Sequence, residues 1–269
     1  MMRWLSVPLL LMLAALPAQA KEYQVVQGGV ATLDHAAASH ATLRCLDRQW
    51  PVRRMSDGSL RGWVGIDLKT RPGTYRCRWH YDGGKESVSL QVTKGEFRIS
   101  RIQVKRKMAV FDAPTLKRIR HDQQALKQSY RAHVDATPDI VMHAMPVAGI
   151  ISTPFGAQRY VNGEPRSPHS GLDIAAPEGT PITAPLAGKV VLASAMYLNG
   201  NTVVIGHGDG LVTIYCHMAH LDVKQGEWIK AGERIGVVGM TGRSTGPHLH
   251  WGIRFHNARI NPAALLKEQ

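Results

Sequence analysis

The sequence predicts a mainly β protein in three parts: a small N-terminal β-sandwich, a linker carrying one helix, and a C-terminal antiparallel β domain. Three observations predict it. Short alternating segments punctuated by turn residues fill residues 21 to 96. The apolar spacing becomes helical between Leu116 and Tyr130, and from Met145 onward glycines and β-branched residues dominate. The boundaries that follow are 1–20 for a leader, 21–111 for the first β unit, 112–144 for the linker and 145–269 for the C-terminal unit. A chain of 269 residues that is 44% hydrophobic and 20% charged can bury one large core or two modest ones, which excludes a compositionally disordered protein.

The leader combines Arg3, an apolar run from Leu5 to Leu16, and the small-x-small site Ala18-Gln19-Ala20. That is the pattern of a secretory signal peptide, with cleavage expected after Ala20. As a membrane anchor the run falls short of the roughly 20 residues a spanning helix needs. Export is therefore expected, to the periplasm first and the extracellular space as the alternative, and it permits a disulfide between Cys45 and Cys77. The 33 basic against 20 acidic residues give a net charge of +13. Such a charge favours polyanionic surroundings, and for an exported protein these are anionic envelope polymers rather than nucleic acid. A monomer is expected.

In the first β unit, Tyr23 to Val26 precedes Gly28-Gly29, Ala41 to Cys45 follows, and Tyr75 to Trp79 precedes Asp82-Gly83-Gly84 and the run Ser87 to Val92. Turn signals this close together suit a sandwich of short strands. Gly62 to Leu68, followed by Arg71-Pro72-Gly73-Thr74-Tyr75, resembles the immunoglobulin-like module found ahead of some exported peptidases. The basic stretch from Phe97 to Phe111 either continues this sheet or leaves it. Leu116, Ile119, Leu126 and Tyr130 then recur at helical spacing after Asp112 and Pro114, which predicts a helix over 113–134 with its polar face in solvent. His121, His133 and His143 read as scattered exposed histidines.

In the C-terminal unit the expected strands are Val147 to Ser152, Pro181 to Ala184, Lys189 to Ala193, Thr202 to Gly206, Thr213 to Met218, Glu233 to Val238 and Leu249 to Phe255. Ala157 to Pro168, Ala193 to Gly200 and Met240 to Pro247 read as loops. Strand alternation sends His248, His250, Gly252 and Arg254 to one face and Leu249, Trp251, Ile253 and Phe255 to the other. Two imidazoles two residues apart can reach a single site. The same sorting places Thr213, Tyr215 and His217 together and Cys216 away from them, as a small core residue. His169 and Asp173, four apart around Gly171, can share a metal in either helical or extended chain.

These motifs amount to a family. Pro168-His169-Ser170-Gly171-Leu172-Asp173-Ile174, then Gly179-Thr180-Pro181-Ile182, then Tyr215-Cys216-His217-Met218, then Gly246-Pro247-His248-Leu249-His250 resemble the M23 or lysostaphin-like (LytM-domain) zinc metallopeptidases, in the expected order over residues 145–262. The resemblance implies one Zn²⁺ held by His169, Asp173 and His250, with His217 and His248 as the catalytic pair. Asn201, His207 and Tyr215 resemble supporting positions, and Arg159, Arg166 and Arg243 are placed to meet carboxylates of an acidic peptide. The expected activity is hydrolysis of peptide cross-links in peptidoglycan, with stem peptides as substrate. The alternatives are a non-hydrolytic LytM-type regulator that docks a wall amidase, or a secreted protease acting on proteins. The upstream module is a candidate cover for the groove, as in some members of the family.

Overall fold

The computed structural model describes residues 21–36, 40–103 and 111–267. Residues 1–20, read above as a signal peptide, lie outside the described residues. Strands β1 (Glu22–Val26), β2 (Val30–His35), β3 (Ala41–Cys45), β4 (Arg48–Trp50), β5 (Val52–Arg54), β6 (Leu60–Gly65), β7 (Gly73–Tyr81) and β8 (Gly84–Thr93) form the N-terminal unit. They make a five-stranded sheet in the order β1-β8-β7-β3-β4 and a three-stranded sheet β2-β6-β5. Alternation decides the faces: Val88, Leu90 and Val92 of β8 and Cys77 and Trp79 of β7 are buried between the sheets, while their neighbours look outward. Gly62 of β6 lies directly over Leu43 and Trp79, where a side chain would collide with both.

Cys45 and Cys77 are disulfide-bonded as expected, with Cα atoms 4.4 Å apart. The bond joins neighbouring strands β3 and β7 of one sheet. In the immunoglobulin arrangement the bond links two sheets, so the unit matches that expectation as a two-sheet sandwich and no further.

The basic stretch leaves the sandwich. Strand β9 (Ile99–Ile102) pairs in parallel with β11 (Gln158–Val161), which forms a hairpin with β12 (Glu164–Pro165). The segment Ala157 to Pro168, expected to be a loop, is thus partly strand. It becomes one because β9 supplies the backbone partners that its own sequence does not advertise.

Helix α1 (Ala113–Ser129) stops five residues earlier than predicted. The Asp112 carboxylate caps it by accepting the Thr115 N–H at 2.9 Å. Ile119, Leu126 and Tyr130 face the C-terminal sheet as the periodicity requires, and buried Asp122 joins them. The Asp122 carboxylate accepts from the Tyr197 N–H and the Arg118 guanidinium, each at 2.8 Å. Leu116, counted on the apolar stripe, stays 39% exposed.

The C-terminal unit comprises β10 (Ile150–Thr153), β11, β12, β13 (Gly171–Ala175), β14 (Pro181–Thr183), β15 (Gly188–Met196), β16 (Gly200–Gly208), β17 (Leu211–Leu221), β18 (Trp228–Ile229), β19 (Arg234–Val238), β20 (His248–Phe255) and β21 (Ala258–Ile260). All but β11 and β12 join one antiparallel sheet whose central path runs β10-β13-β20-β17-β16-β15-β18. One face carries Leu172, Ile174, Tyr215, Leu249, Trp251 and Phe255 into a core continuous with that of the N-terminal sandwich, and the Trp50 and Phe255 rings meet at 5.5 Å. The opposite face carries Val204, Val212, Ile214 and Cys216 under Leu126 and Tyr130. That second face is the one to which alternation assigned His248, His250, Gly252 and Arg254. Helix α1 closes one part of it over a small apolar core, and the rest holds the histidines. Among the described residues no helix is long and apolar enough to cross a membrane.

Candidate metal centre and active site

Strands β13, β20 and β17 lie side by side and set the site by register. Asp173 is directly opposite His250, which is directly opposite Cys216, so all three project to the same face. Gly171 sits where β13 crosses His250: an added side chain would strike the Trp251 carbonyl and the His250 ring. Just before β13, His169 is tied by backbone hydrogen bonds to the Phe155–Ala157 turn, its N–H donating to Ala157 O at 2.9 Å and its carbonyl accepting from the Gly156 N–H at 2.8 Å. Among the described residues, His169, Asp173 and His250 form the group of three potential ligands, with one donor atom from each lying within 4.8 Å of the others.

The contacts inside this group are informative. His169 Nε2 lies 2.8 Å from Asp173 Oδ1 and 2.9 Å from His250 Nδ1, and His250 Nδ1 lies 2.7 Å from Asp173 Oδ1. The other nitrogen of His169 faces the Pro154 carbonyl at 3.1 Å. A carbonyl only accepts, so Nδ1 carries the proton and a neutral His169 turns its Nε2 lone pair toward a carboxylate oxygen. Lone pairs converging at such distances need positive charge between them, supplied by a proton or a cation. Burial works against the Asp173 carboxylate, but His169 and His250 outweigh it and hold the group well below the usual carboxylate range. Two imidazoles and one carboxylate, with a carbonyl orienting one ring from behind, are the donor set of a zinc site with an open position.

His217 and His248 flank this group, their ring centroids 4.7 Å apart, and His217 is 6.3 Å from the His250 ring. His217 is there for a reason that alternation does not contain. Tyr215, opposite Trp251, faces the core, and strict alternation would send His217 the same way. Instead His217 adopts φ of 64°, β17 bulges, and the register against β16 and β19 shifts. The expected grouping of Thr213, Tyr215 and His217 on one face is therefore corrected. Cys216 is a buried free thiol as expected, though on the ligand face rather than away from it. Burial pushes that thiol up to about 11, which removes it as a nucleophile.

The bulge is held from both sides. The His217 N–H donates to Asn199 O at 2.8 Å, and His217 Nδ1 donates to Thr241 O at 2.8 Å. Thr241 Oγ1 in turn accepts the Asn201 N–H at 2.9 Å and donates to Met218 O at 2.7 Å. Asn201 thus reaches the site through Thr241, a residue the sequence reading did not single out. Its signal was only its place in the loop Met240 to Pro247. His248 Nδ1 faces Gly246 O at 2.9 Å and the Ser244 hydroxyl at 3.2 Å. Both flanking rings therefore carry their proton on Nδ1 and leave Nε2 as acceptor. Burial, aided by nearby His250, lowers the His217 imidazole to about 3 and keeps it neutral.

The cavity beside these rings holds about 320 Å³ and is lined by Ile102, Ser152, Asp173, His217, Arg243 and His248 among others. His207, Tyr215 and Arg166 are not among the residues that line it. His207 is buried with Nδ1 on Ala187 O at 2.7 Å and Nε2 on Thr213 Oγ1 at 2.8 Å, a core histidine away from the ligands. Tyr215 is fully buried on the opposite face of the sheet and meets no substrate. Arg166 is exposed and its carbonyl accepts from Gln158 Nε2, whereas Arg159 lies on β11 with its side chain outside the described residues.

The sequence of residues 167–262 matches the family model Peptidase family M23. Over 115 residues the chain is 40% identical to the DD-carboxypeptidase/endopeptidase Mpg of Neisseria meningitidis, and over 95 residues it is 42% identical to the peptidoglycan DD-endopeptidase ShyA of Vibrio cholerae. Those alignments take in 43% and 35% of the chain but 26% and 22% of the relatives, so the chain spans about a quarter of their length. Likeness extends across both units in a crystal structure assigned to peptidase M23 from Pseudomonas aeruginosa: 34% identity, a TM-score of 0.72, and coverage of 89% of this chain and 94% of that one. With 34% identity over nearly the whole of that structure, and the family model matching the histidine-bearing sheet, the chain belongs to peptidase family M23.

Proposed function

We propose that this chain is an exported zinc endopeptidase that hydrolyses peptide cross-links of peptidoglycan. The observation that carries the reading is the convergence of His169 Nε2, Asp173 Oδ1 and His250 Nδ1 beside two histidines whose Nε2 atoms are left as acceptors. His169, Asp173 and His250 would hold the zinc, which when bound supplies Lewis acidity toward oxygen. His217 and His248 take the proton from the attacking water and return it to the leaving amine. Once protonated, either imidazolium stabilises charge that develops on the carbonyl oxygen. The backbone carbonyls of Thr241 and Gly246 keep both rings in the tautomer this requires. Relatives named as peptidoglycan endopeptidases support the substrate class, and Arg243 in the cavity wall suits the carboxylates of stem peptides. The upstream chain contributes β9, whose Ile102 lines the cavity and narrows it, so Ile102→Ala is expected to raise the rate on bulky substrate.

The test is release of soluble peptides from purified sacculi, read alongside metal content. His250→Ala and Asp173→Ala are each expected to lose bound zinc and to reduce release about 100-fold or more. Undiminished release by chelator-stripped protein would refute the metal chemistry. Casein cleaved with sacculi left intact would redirect the reading to a general protease.

A further inference from the structure

A second concave site lies on the N-terminal sandwich, remote in sequence from the histidines. It holds about 530 Å³, and its lining includes Arg44, Arg48, Arg76, Arg78, Tyr75 and His80. Arg44 on β3 and Arg78 on β7 are directly opposite in the antiparallel register, and Arg76 follows two residues along on the same outward face. Like charges directly opposite on a sheet are destabilising unless something of opposite charge lies between. Among the described residues, no acidic side chain pairs with Arg44, Arg76 or Arg78, and all three are exposed. Of the two aspartates in the lining, Asp67 is committed to Arg259 and to the Lys69 N–H, which leaves Asp47 against four arginines.

Guanidinium forks on adjacent strands suit the oxygens of a phosphate ester, which several of them can share. The cleft has the volume of a small-ligand site rather than of a single ion, and its concavity does not suit a flat bilayer. His80, two residues beyond Arg78 on the same outward face, adds a further polar ring to the lining. We propose that this cleft binds a small organic bisphosphate, at a site separate from the peptidase groove. It does not depend on the hydrolytic reading.

The experiment is calorimetric titration of the full chain with glucose 1,6-bisphosphate, glucose and inorganic phosphate, followed by co-sedimentation with phosphatidylglycerol vesicles and with phosphate-free sacculi. The bisphosphate is expected to bind at least about tenfold more tightly than inorganic phosphate, and glucose not to bind. R44Q/R78Q is expected to weaken the bisphosphate about tenfold or more. K117Q/R120Q, which removes equal charge from helix α1, is expected to leave it within about twofold. R44Q/R78Q relieves a like-charge pair, so its thermal midpoint should equal or exceed the parent's, and binding lost through unfolding is thereby recognised. Equal weakening in both double variants would overturn the proposal. So would inorganic phosphate binding as tightly as the bisphosphate, or capture by vesicles or sacculi without bisphosphate binding.

Discussion

His207 shows how far a single imidazole can be from catalysis while still setting a pH limit. Burial lowers it to about 4, against an ordinary histidine value near 6.5 in the unfolded chain. The unfolded state therefore binds the proton more readily, and stability is complete above about pH 6.5. It declines as pH falls from there toward 4, by about 3 kcal/mol in all. Urea denaturation at pH 7 and pH 4.5 should show this loss. His207→Asn should be less stable at pH 7, for want of the ring's two hydrogen bonds, yet show a flatter profile between the two. An unchanged slope in that variant would assign the acid sensitivity to other groups. His169, Asp173 and His250 were legible at this scale through the family motifs that carry them, and their donor atoms do lie together. His207, expected to resemble a supporting position, is a core histidine bonded to Ala187 and Thr213, partners that its place in the sequence does not reveal.

Helix α1 is seated by a polar contact as much as by its apolar stripe. The Asp122 carboxylate holds the Tyr197 N–H beside the turn between β15 and β16. Asp122→Ala leaves that N–H without its partner and is expected to cost about 1–3 kcal/mol, read from the denaturation midpoint. Asp112→Ala removes only the exposed cap and should cost about 1 kcal/mol. Equal costs would mean that the helix docks through its apolar side chains alone. The stripe itself was legible from Ile119, Leu126 and Tyr130, whereas Asp122 was not, because a buried carboxylate looks like any polar-face residue until its partner is known. Strand β17 repeats the lesson: alternation sorted Ile214 and Cys216 correctly together and then failed at His217.

Across the molecule, the two β units are joined by a continuous core and by paired charges at its rim. Arg53 meets Asp209 at 2.6 Å, and Arg259 grips the Asp67 carboxylate through both its guanidinium and its backbone N–H. Burial opposes ionisation of Asp67, but Arg259 outweighs it and holds the carboxyl below its ordinary range. A double-mutant cycle on Asp67→Asn and Arg259→Gln is expected to give a coupling of roughly 1–2 kcal/mol, with one unfolding transition in all four proteins. Two separate transitions in the parent would show that the units fold independently despite the shared core.

What the sequence by itself determined is local and chemical: the strand-rich composition, the helix start at Asp112, the cysteine pair, and the motifs that carry the site's histidines and Asp173. These are legible because periodicity, capping and ligand type act over a few residues. Tertiary structure alone decided the rest. It made a strand of Gln158–Val161 by lending it β9, closed half of the ligand face with α1, and turned His217 into the groove. Each of these depends on backbone partners that folding brings together: Asn199 and Thr241 hold the left-handed turn at His217, and no periodicity within β17 encodes them.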